Sequence, residues 1–158
     1  EKDFFNIFFK ILSKKIKYFK QKNNLSIYMP RLETKVHSYI NWSWDTKDII
    51  NFIKSFDDPY PGARTFLDKK LVIVRSAKIE KKLNNFHPFQ SGIIFRKKNQ
   101  VYYVACKNHA ISLKIFSGKN NKKIIDKVLG KRLYTPSKYL ELALTSKSIH
   151  LPKGIIIK

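Results

Sequence analysis

Between residues 64 and 116 the sequence contains about five short strand-like segments, which limit the folds that the chain can adopt. Each segment is rich in Val, Ile, Tyr or Phe, and short polar turns separate several of them at hairpin spacing. The segments are Arg64–Leu67, Leu71–Ile79, Gly92–Arg96, Val101–Cys106 and Ala110–Phe116. Short strands connected in this way close best as a small barrel or a highly curled sheet. We therefore predict a mainly β fold with flanking helices.

Two of the flanking helices carry clear start signals. One begins near Asp45-Thr46, a good N-cap pair, and ends at the proline- and glycine-rich turn of residues 57–62. Its predicted buried stripe consists of Ile49, Ile50, Ile53 and Phe56. The other runs from Ser137 to Leu144, because Thr135-Pro136 places a cap residue before a proline at the first helical position. Residues 124–129 are predicted as a short helical or irregular stretch, and the tail at 146–158 receives no assignment.

Residues 4–20 show a third helical pattern, in which a wide apolar stripe is interleaved with lysines. A basic amphipathic helix can lie on an anionic lipid surface. We favour the alternative that this helix packs on a neighbouring domain. Residues 21–39 are predicted as an extended linker without helical period, from which Ile27, Met29 and Leu32 could tuck against the core. Residues 40–145 then form the barrel domain. Trp42 and Trp44 are expected to be buried, and a stacking platform for bases is the alternative.

The net charge is +22, from 33 basic and 11 acidic residues. Such a surplus favours a polyanionic partner such as nucleic acid, since neutralising phosphates supplies affinity that does not depend on base sequence. A genomic cause explains the same charge, because 28 of the cations are Lys and only 5 are Arg, alongside 20 Ile and 11 Asn. These three residue types have AT-rich codons. The charge alone therefore does not decide between the two explanations.

Basic residues are concentrated between the last predicted strand and the final helix, with a net charge of +6 between residues 114 and 132. In small barrels of this kind, strand faces and loops commonly bind nucleic-acid backbones. The alternative is a solvated charged surface. The candidate acceptor- or nucleic-acid-binding residues are Lys114, Lys119, Lys122, Lys123, Lys127, Lys131 and Arg132.

Residues suited to catalysis have simpler structural interpretations. None of the four histidines is paired with another at metal-ligand spacing, and we predict that His87 caps a loop. One carboxylate of Asp57-Asp58 is expected to bind backbone amides in the proline turn. Cys106, the single cysteine, is expected to be a buried thiol. The chain thus offers no catalytic or metal-binding residue that we can name. No apolar run approaches the roughly 20 residues of a membrane span, so we expect no stable membrane insertion and a cytoplasmic location.

The order of several motifs resembles that of the formyltransferase family. The motifs are Tyr28-Met29-Pro30-Arg31-Leu32, Ile40-Asn41-Trp42, Phe56-Asp57-Asp58-Pro59-Tyr60-Pro61-Gly62-Ala63, Ser91-Gly92-Ile93-Ile94 and Tyr103-Val104-Ala105-Cys106. The resemblance covers roughly residues 20–145 and implies that the barrel is the OB-like C-terminal domain of such an enzyme. One departure is Asn108-His109, where the family usually has Asp-Gly. Because His adopts a left-handed backbone less readily, a tight two-residue turn is in doubt there.

The resemblance also implies what precedes the barrel. Formyltransferases carry Asn, His and Asp around the formyl group of 10-formyltetrahydrofolate in an N-terminal Rossmann-like domain. The chain starts at Glu1 and its single methionine is Met29. We therefore expect a fragment in which residues 1–20 are the last helix of that domain, and which is inactive alone.

The resemblance leaves two possible acceptors of the formyl group. Methionyl-tRNA is favoured by the charge, and a nucleotide-linked amino sugar is the alternative, since the sugar enzymes share the linker and turn. A further alternative of another class is a stand-alone basic RNA-binding module without catalysis. The upstream catalytic domain is the expected protein partner in the first two cases.

Overall fold

The computed structural model describes residues 2–13, 19, 20, 22, 24, 26–118 and 128–158. The helices are α1 (Lys2–Leu12), α2 (Thr34–His37), α3 (Thr46–Ser55) and α4 (Ser137–Thr145), with a 3₁₀ turn at Pro88–Gln90. The strands are β1 (Ala63–Leu67), β2 (Lys70–Asn84), β3 (Ile94–Lys98), β4 (Val101–Ala105), β5 (His109–Ser117), β6 (Leu133–Tyr134), β7 (Ser148–Leu151) and β8 (Gly154–Ile157).

Six strands form one antiparallel sheet in the order β3-β4-β5-β2-β1-β6. The two edges of this sheet meet, because the residues just before β6 bond to the start of β3. Ile94 donates its amide to the carbonyl of Lys131 over 2.9 Å, and Leu133 donates to the carbonyl of Gly92 over 2.8 Å. This seam curls the sheet upon itself and satisfies backbone groups that an open edge would leave to solvent. The mainly β, OB-like architecture predicted from the sequence is confirmed.

The core lies between the inner face of the curled sheet and α3. The predicted helical stripe is buried, with Ile49 and Ile53 fully inaccessible and Ile50 and Phe56 nearly so. These side chains join a single cluster with the inward residues of the strands, including Val74, Tyr102 and Leu113. Because apolar burial is the main favourable term in folding, the packing of α3 on β2 and β5 holds the barrel together.

The five predicted strands are present with shifted ends. In addition, β2 is longer than predicted, and β6 is a further strand. β2 extends to Asn84, beyond the predicted end at Ile79, with register shifts against β5 after Arg75 and after Glu80. β6 is absent from the sequence prediction, because two residues are too short to show alternation. The predicted final helix is confirmed as α4. Of the stretch 124–129, residues 124–127 lie outside the described residues, and Val128 and Leu129 are not helical.

The prediction that residues 21–39 form an extended linker without a helix is wrong at the C-terminal end of this segment. Residues 34–37 form α2, which contacts α4, and the residues that follow are buried. Tyr39 stacks on Phe66 and Tyr139, whose ring centroids lie 6.2 and 4.8 Å away. A single helical turn fixed by such tertiary contacts has no periodic signal in the sequence.

The expected tucking of the linker's apolar residues is also wrong. Ile27, Met29 and Leu32 are exposed, and none of them belongs to the core cluster. The expectation for the tryptophans is confirmed at Trp42, which is buried and donates its indole N–H to the Thr65 hydroxyl over 2.8 Å. Trp44 is more exposed and packs edge-on against Phe52.

The helix predicted over 4–20 is present as α1 over Lys2–Leu12. Residues 14–18 lie outside the described residues, and Phe19 and Lys20 are not helical. The large apolar side chains of α1 are between 45% and 67% exposed. The helix therefore presents its apolar stripe without cover from the described part of the chain.

The tail left unassigned at 146–158 contains a hairpin. Ile149 pairs with Ile156, and His150 pairs with Ile155, in the two-stranded sheet β7-β8. The hairpin is joined to the linker, since the Ser148 hydroxyl donates to the carbonyl of Arg31. His37 links the same region, with its Nε2 atom 3.1 Å from the carbonyl oxygen of Ser146.

Candidate nucleic-acid interface

The predicted basic cluster is described only in part. Lys119, Lys122, Lys123 and Lys127 lie outside the described residues, so their role stays a prediction. Lys114 is exposed on β5, whereas Lys131 and Arg132 lie at the seam that joins β3 to β6. The fold thus divides the described members of the cluster between the sheet and the seam.

Lys114 lies among cations that the sequence analysis did not group with it. Cross-strand partners share a face of the sheet. One row of partners runs across β3, β4, β5 and β2, and a second row consists of two separate pairs on the same strands. In the first row Arg96 pairs with Tyr103, Tyr103 pairs with Ser112, and Ser112 pairs with Lys78. In the second row Lys98 is opposite Val101, and Lys114 is opposite Arg75.

The exposed cations of these two rows define a surface that we call the basic face. Its members are Lys78, Arg96, Lys98 and Lys114. Tyr103 lies between them, with the guanidinium of Arg96 5.6 Å from its ring centroid. Interleaved cations and an aromatic ring match the two requirements of a surface for nucleic acid, namely phosphate neutralisation and stacking. The signal was present in the sequence, because hairpin register brings 96 and 98 beside 103 and 101.

The positive charges of the basic face are not paired with carboxylates in the described part of the chain. Within the described part of the chain, ion pairs join Arg75 to Asp57, Lys107 to Asp45 and Lys131 to Asp68. None of them uses a cation of the basic face. Lys131, a predicted site residue, is therefore partly neutralised by Asp68, although both side chains are about half exposed and such pairs contribute little to stability.

Arg132, the other predicted residue at the seam, makes directed contacts. Its Nη1 atom donates to the carbonyl of Ser91 over 2.8 Å. Its guanidinium also lies over the ring of Phe89, 5.0 Å from the centroid. This cation is held in place rather than free to follow a phosphate.

The structural interpretation of the acid–base candidates is confirmed for two residues. His87 caps the 3₁₀ turn, since its Nδ1 atom accepts a hydrogen bond from the amide of Phe89 over 3.2 Å. Asp57 accepts from the amides of Asp58 and Ser76 over 2.9 and 2.7 Å. Both side chains are engaged in turn structure, which leaves no evident role for them as proton donors or acceptors to a substrate.

Cys106 is a fully buried thiol, as predicted. Burial raises its pKa to about 12, because the low-dielectric core penalises the thiolate. A thiol in this state is a poor nucleophile.

Two open grooves lie near the ends of the barrel. The hairpin groove, of about 330 Å³, lies between the linker, the end of α3 and the hairpin, and Arg31, Glu33 and His150 contribute to its lining. The seam groove, of about 350 Å³, lies beside Phe89 and Arg132. Within the described ranges, no cluster of three or more His, Cys, Asp and Glu residues has the arrangement of a metal site. In the same ranges, the helices are too short or too polar to cross a bilayer.

Comparison with known proteins relates the chain to formyltransferases. Residues 34–131 match the family model described as formyl transferase, C-terminal domain. A methionyl-tRNA formyltransferase from Nitrosomonas europaea is 31% identical over 90 residues, which are 57% of this chain and 28% of that protein. The chain thus matches only about a quarter of the length of this curated relative.

Proposed function

The chain belongs to the formyl transferase family through its C-terminal domain, and from this premise we propose that it binds and orients methionyl-tRNA for formyl transfer. The reaction moves a formyl group from 10-formyltetrahydrofolate to the amino group of the acceptor. In this proposal the barrel holds the tRNA while an upstream domain carries out the chemistry. The relative from Nitrosomonas europaea, a methionyl-tRNA formyltransferase by name, supports the choice of acceptor.

The observation that carries the proposal is the basic face. Four exposed cations lie on β3, β5 and β2 of one sheet, and the ion pairs of the described residues do not use them. A tRNA backbone presents phosphates along a continuous path, and each phosphate neutralised by a cation releases counterions. An array fixed by strand pairing therefore gives affinity together with a defined orientation.

The formyl donor is assigned to the upstream domain. Apart from Ser91, the polar side chains that line the two grooves, including Arg31, Glu33 and His150, are exposed or half-buried. The buried Ser91 of the seam groove already donates its hydroxyl to the carbonyl of Trp42. These grooves thus lack the buried polar groups that orient a ligand in an enclosed site. 10-Formyltetrahydrofolate supplies the activated formyl group, and the described residues do not fit its site.

The test is the salt dependence of tRNA binding. We expect the triple variant Lys78→Gln/Lys98→Gln/Lys114→Gln to bind tRNA more weakly than the parent chain. The slope of log K against log salt should become shallower by about 0.9 for each phosphate contact removed. Fluorescence anisotropy with labelled tRNA at several salt concentrations measures both quantities.

The matched control is Lys35→Gln/Lys47→Gln/Lys54→Gln, which removes the same charge from exposed lysines on α2 and α3. Its slope should stay close to that of the parent. If both triple variants lose equal affinity, tRNA binding depends on the total charge and not on the position of the lysines, and the basic face is not an interface. If the parent chain fails to bind tRNA at low salt, the tRNA proposal is wrong, and a nucleotide-linked amino sugar becomes the preferred acceptor.

A further inference from the structure

An aromatic side chain is displayed to solvent at the seam of the barrel. Phe89 is 78% exposed, although burial of a phenylalanine side chain normally stabilises the folded state. Isolated exposed apolar residues are common and need no explanation by themselves. Phe89 differs because its backbone and one face of its ring are fixed by specific contacts.

The backbone of Phe89 belongs to the 3₁₀ turn, whose hydrogen bonds are reciprocal. His87 Nδ1 accepts from the amide of Phe89, and Gln90 Oε1 accepts from the amide of His87 over 2.8 Å. Pro88 restricts the first position of the turn. This arrangement satisfies orphan amides at the start of the turn and fixes the backbone from which the ring projects.

The guanidinium of Arg132 covers one face of the ring, and its position is also fixed. Arg132 Nη1 bonds to the carbonyl of Ser91, and the Ser91 hydroxyl bonds to the carbonyl of Trp42 in the core. Since Phe89 keeps most of its surface exposed while Arg132 occupies one face, the opposite face is open to solvent. The seam groove runs beside this pair.

We propose that Phe89, supported by Arg132, is a stacking platform for an unpaired nucleobase of a bound RNA. Aromatic rings stack on bases of any sequence, and a guanidinium on the other face strengthens the attraction for the π system. The net charge of +22 favours an RNA as the carrier of that base. Bases inside a duplex are stacked on each other and offer no free face, so the platform selects single-stranded RNA. The proposal rests on the RNA binding proposed above.

The experiment compares two RNA probes with the full chain. One probe is a single-stranded 12-nucleotide RNA, and the other is a blunt 12-base-pair RNA duplex. We expect Phe89→Ala to raise the Kd for the single strand about tenfold or more. The Kd for the duplex should change less than twofold, and the salt slope should be unaltered for both.

A second variant tests stacking directly. Phe89→Trp should keep the parent affinity for the single strand, and its additional fluorescence relative to the parent chain should be quenched on binding. Arg132→Lys keeps the charge but loses the planar group, so we expect weaker single-strand binding with an unchanged salt slope.

The outcomes separate this proposal from the one before it. If the parent chain binds both probes and Phe89→Ala binds the single strand equally well, the platform is wrong while RNA binding stands. If the added fluorescence of Phe89→Trp is not quenched at a saturating concentration of single-stranded RNA, the platform is likewise wrong. If the parent chain binds neither probe at low salt, RNA binding itself has failed. Far-UV circular dichroism of the exposed-site variants checks that they are folded.

Discussion

At the scale of single residues, Asp57 connects the end of α3 to the barrel. Its carboxylate accepts from the amides of Asp58 and Ser76 and lies 3.4 Å from Arg75 Nη1. Arg75 in turn donates to the carbonyl of Tyr60 over 2.9 Å. The carboxylate therefore links the proline turn to the irregular stretch of β2, where the strand departs from its register with β5.

We predict that Asp57→Ala lowers the free energy of unfolding by about 1–3 kcal/mol, because two backbone amides and the half-buried guanidinium of Arg75 lose a charged acceptor. Urea denaturation followed by tryptophan fluorescence measures this loss. Asp58→Ala is the matched control, since Asp58 is exposed, and it should change stability by less than about 0.5 kcal/mol. Equal effects of the two substitutions would contradict the assigned role of Asp57.

Cys106 gives a prediction for pH. Its pKa is raised from 9.0 to about 12 by burial, so the folded chain keeps the thiol protonated while the unfolded chain ionises. The contribution of this group to stability is therefore complete below pH 9 and is lost as the pH rises toward 12. At pH 8 we expect iodoacetamide to label the native thiol about a thousandfold more slowly than the thiol of the urea-unfolded chain. Comparable labelling rates would show that the thiol is accessible.

At the scale of elements, the seam depends on a close backbone approach at Gly92. Gly92 has φ +85°, and a Cβ atom there would lie 2.2 Å from the carbonyl oxygen of Leu133. Its own amide bonds to the carbonyl of Ala105 and its carbonyl accepts from Leu133. A side chain at this position would push the two edges of the sheet apart.

We predict that Gly92→Ala destabilises the fold by more than about 2 kcal/mol, since backbone strain and loss of the seam add together. Gly130→Ala is the matched control. Gly130 also has a positive φ of +78°, but a Cβ atom there meets no atom of the described residues within 4 Å. It should cost only about 1 kcal/mol. Thermal unfolding of the two variants distinguishes steric closure of the seam from backbone strain alone.

Most of the elements could be predicted because their signals are local. The five strands alternate or are rich in β-branched residues, and α3 and α4 carry cap and proline signals. β6, α2 and the hairpin β7-β8 were missed because each is four residues or shorter. Tertiary contacts at the seam and on α4 define the first two, and no short sequence window contains those contacts.

The doubtful turn after β4 illustrates the same limit. Asn108 and His109 do not adopt the positive φ that a tight two-residue turn would require. The chain instead passes from β4 to β5 through residues 106–108, with the amide of Cys106 bonded to the carbonyl of His109. The departure from Asp-Gly thus leaves the strand pairing of β4 with β5 intact.

At the scale of the whole molecule, we predict that this chain alone does not transfer a formyl group. In the described part of the chain, His37, His87 and Asp57 are engaged in structural contacts, and the proposed donor site belongs upstream. A direct assay with 10-formyltetrahydrofolate and methionyl-tRNA measures this. Turnover above the uncatalysed rate would contradict the assignment of the chemistry to another domain.

The basic residues outside the described part of the chain carry a separate prediction. Lys122→Glu combined with Lys123→Glu should weaken tRNA binding about equally for every tRNA tested, because phosphate contacts carry no base information. Competition with several unrelated tRNAs measures this uniformity. A loss confined to one tRNA would indicate base recognition instead.

Local patterns of apolar and turn residues, which act over a few positions, were enough to predict the mainly β class and the helix that covers the core. The ordered motifs between residues 28 and 106 carried the resemblance to the family. Which cations share a surface depended on the tertiary structure. Lys114 joins Lys78, Arg96 and Lys98 through strand register, while Arg132 is placed beside Phe89 at the seam. The physical reason is that a closed sheet brings together residues far apart in the chain, and their proximity depends on hydrogen-bond register rather than on composition.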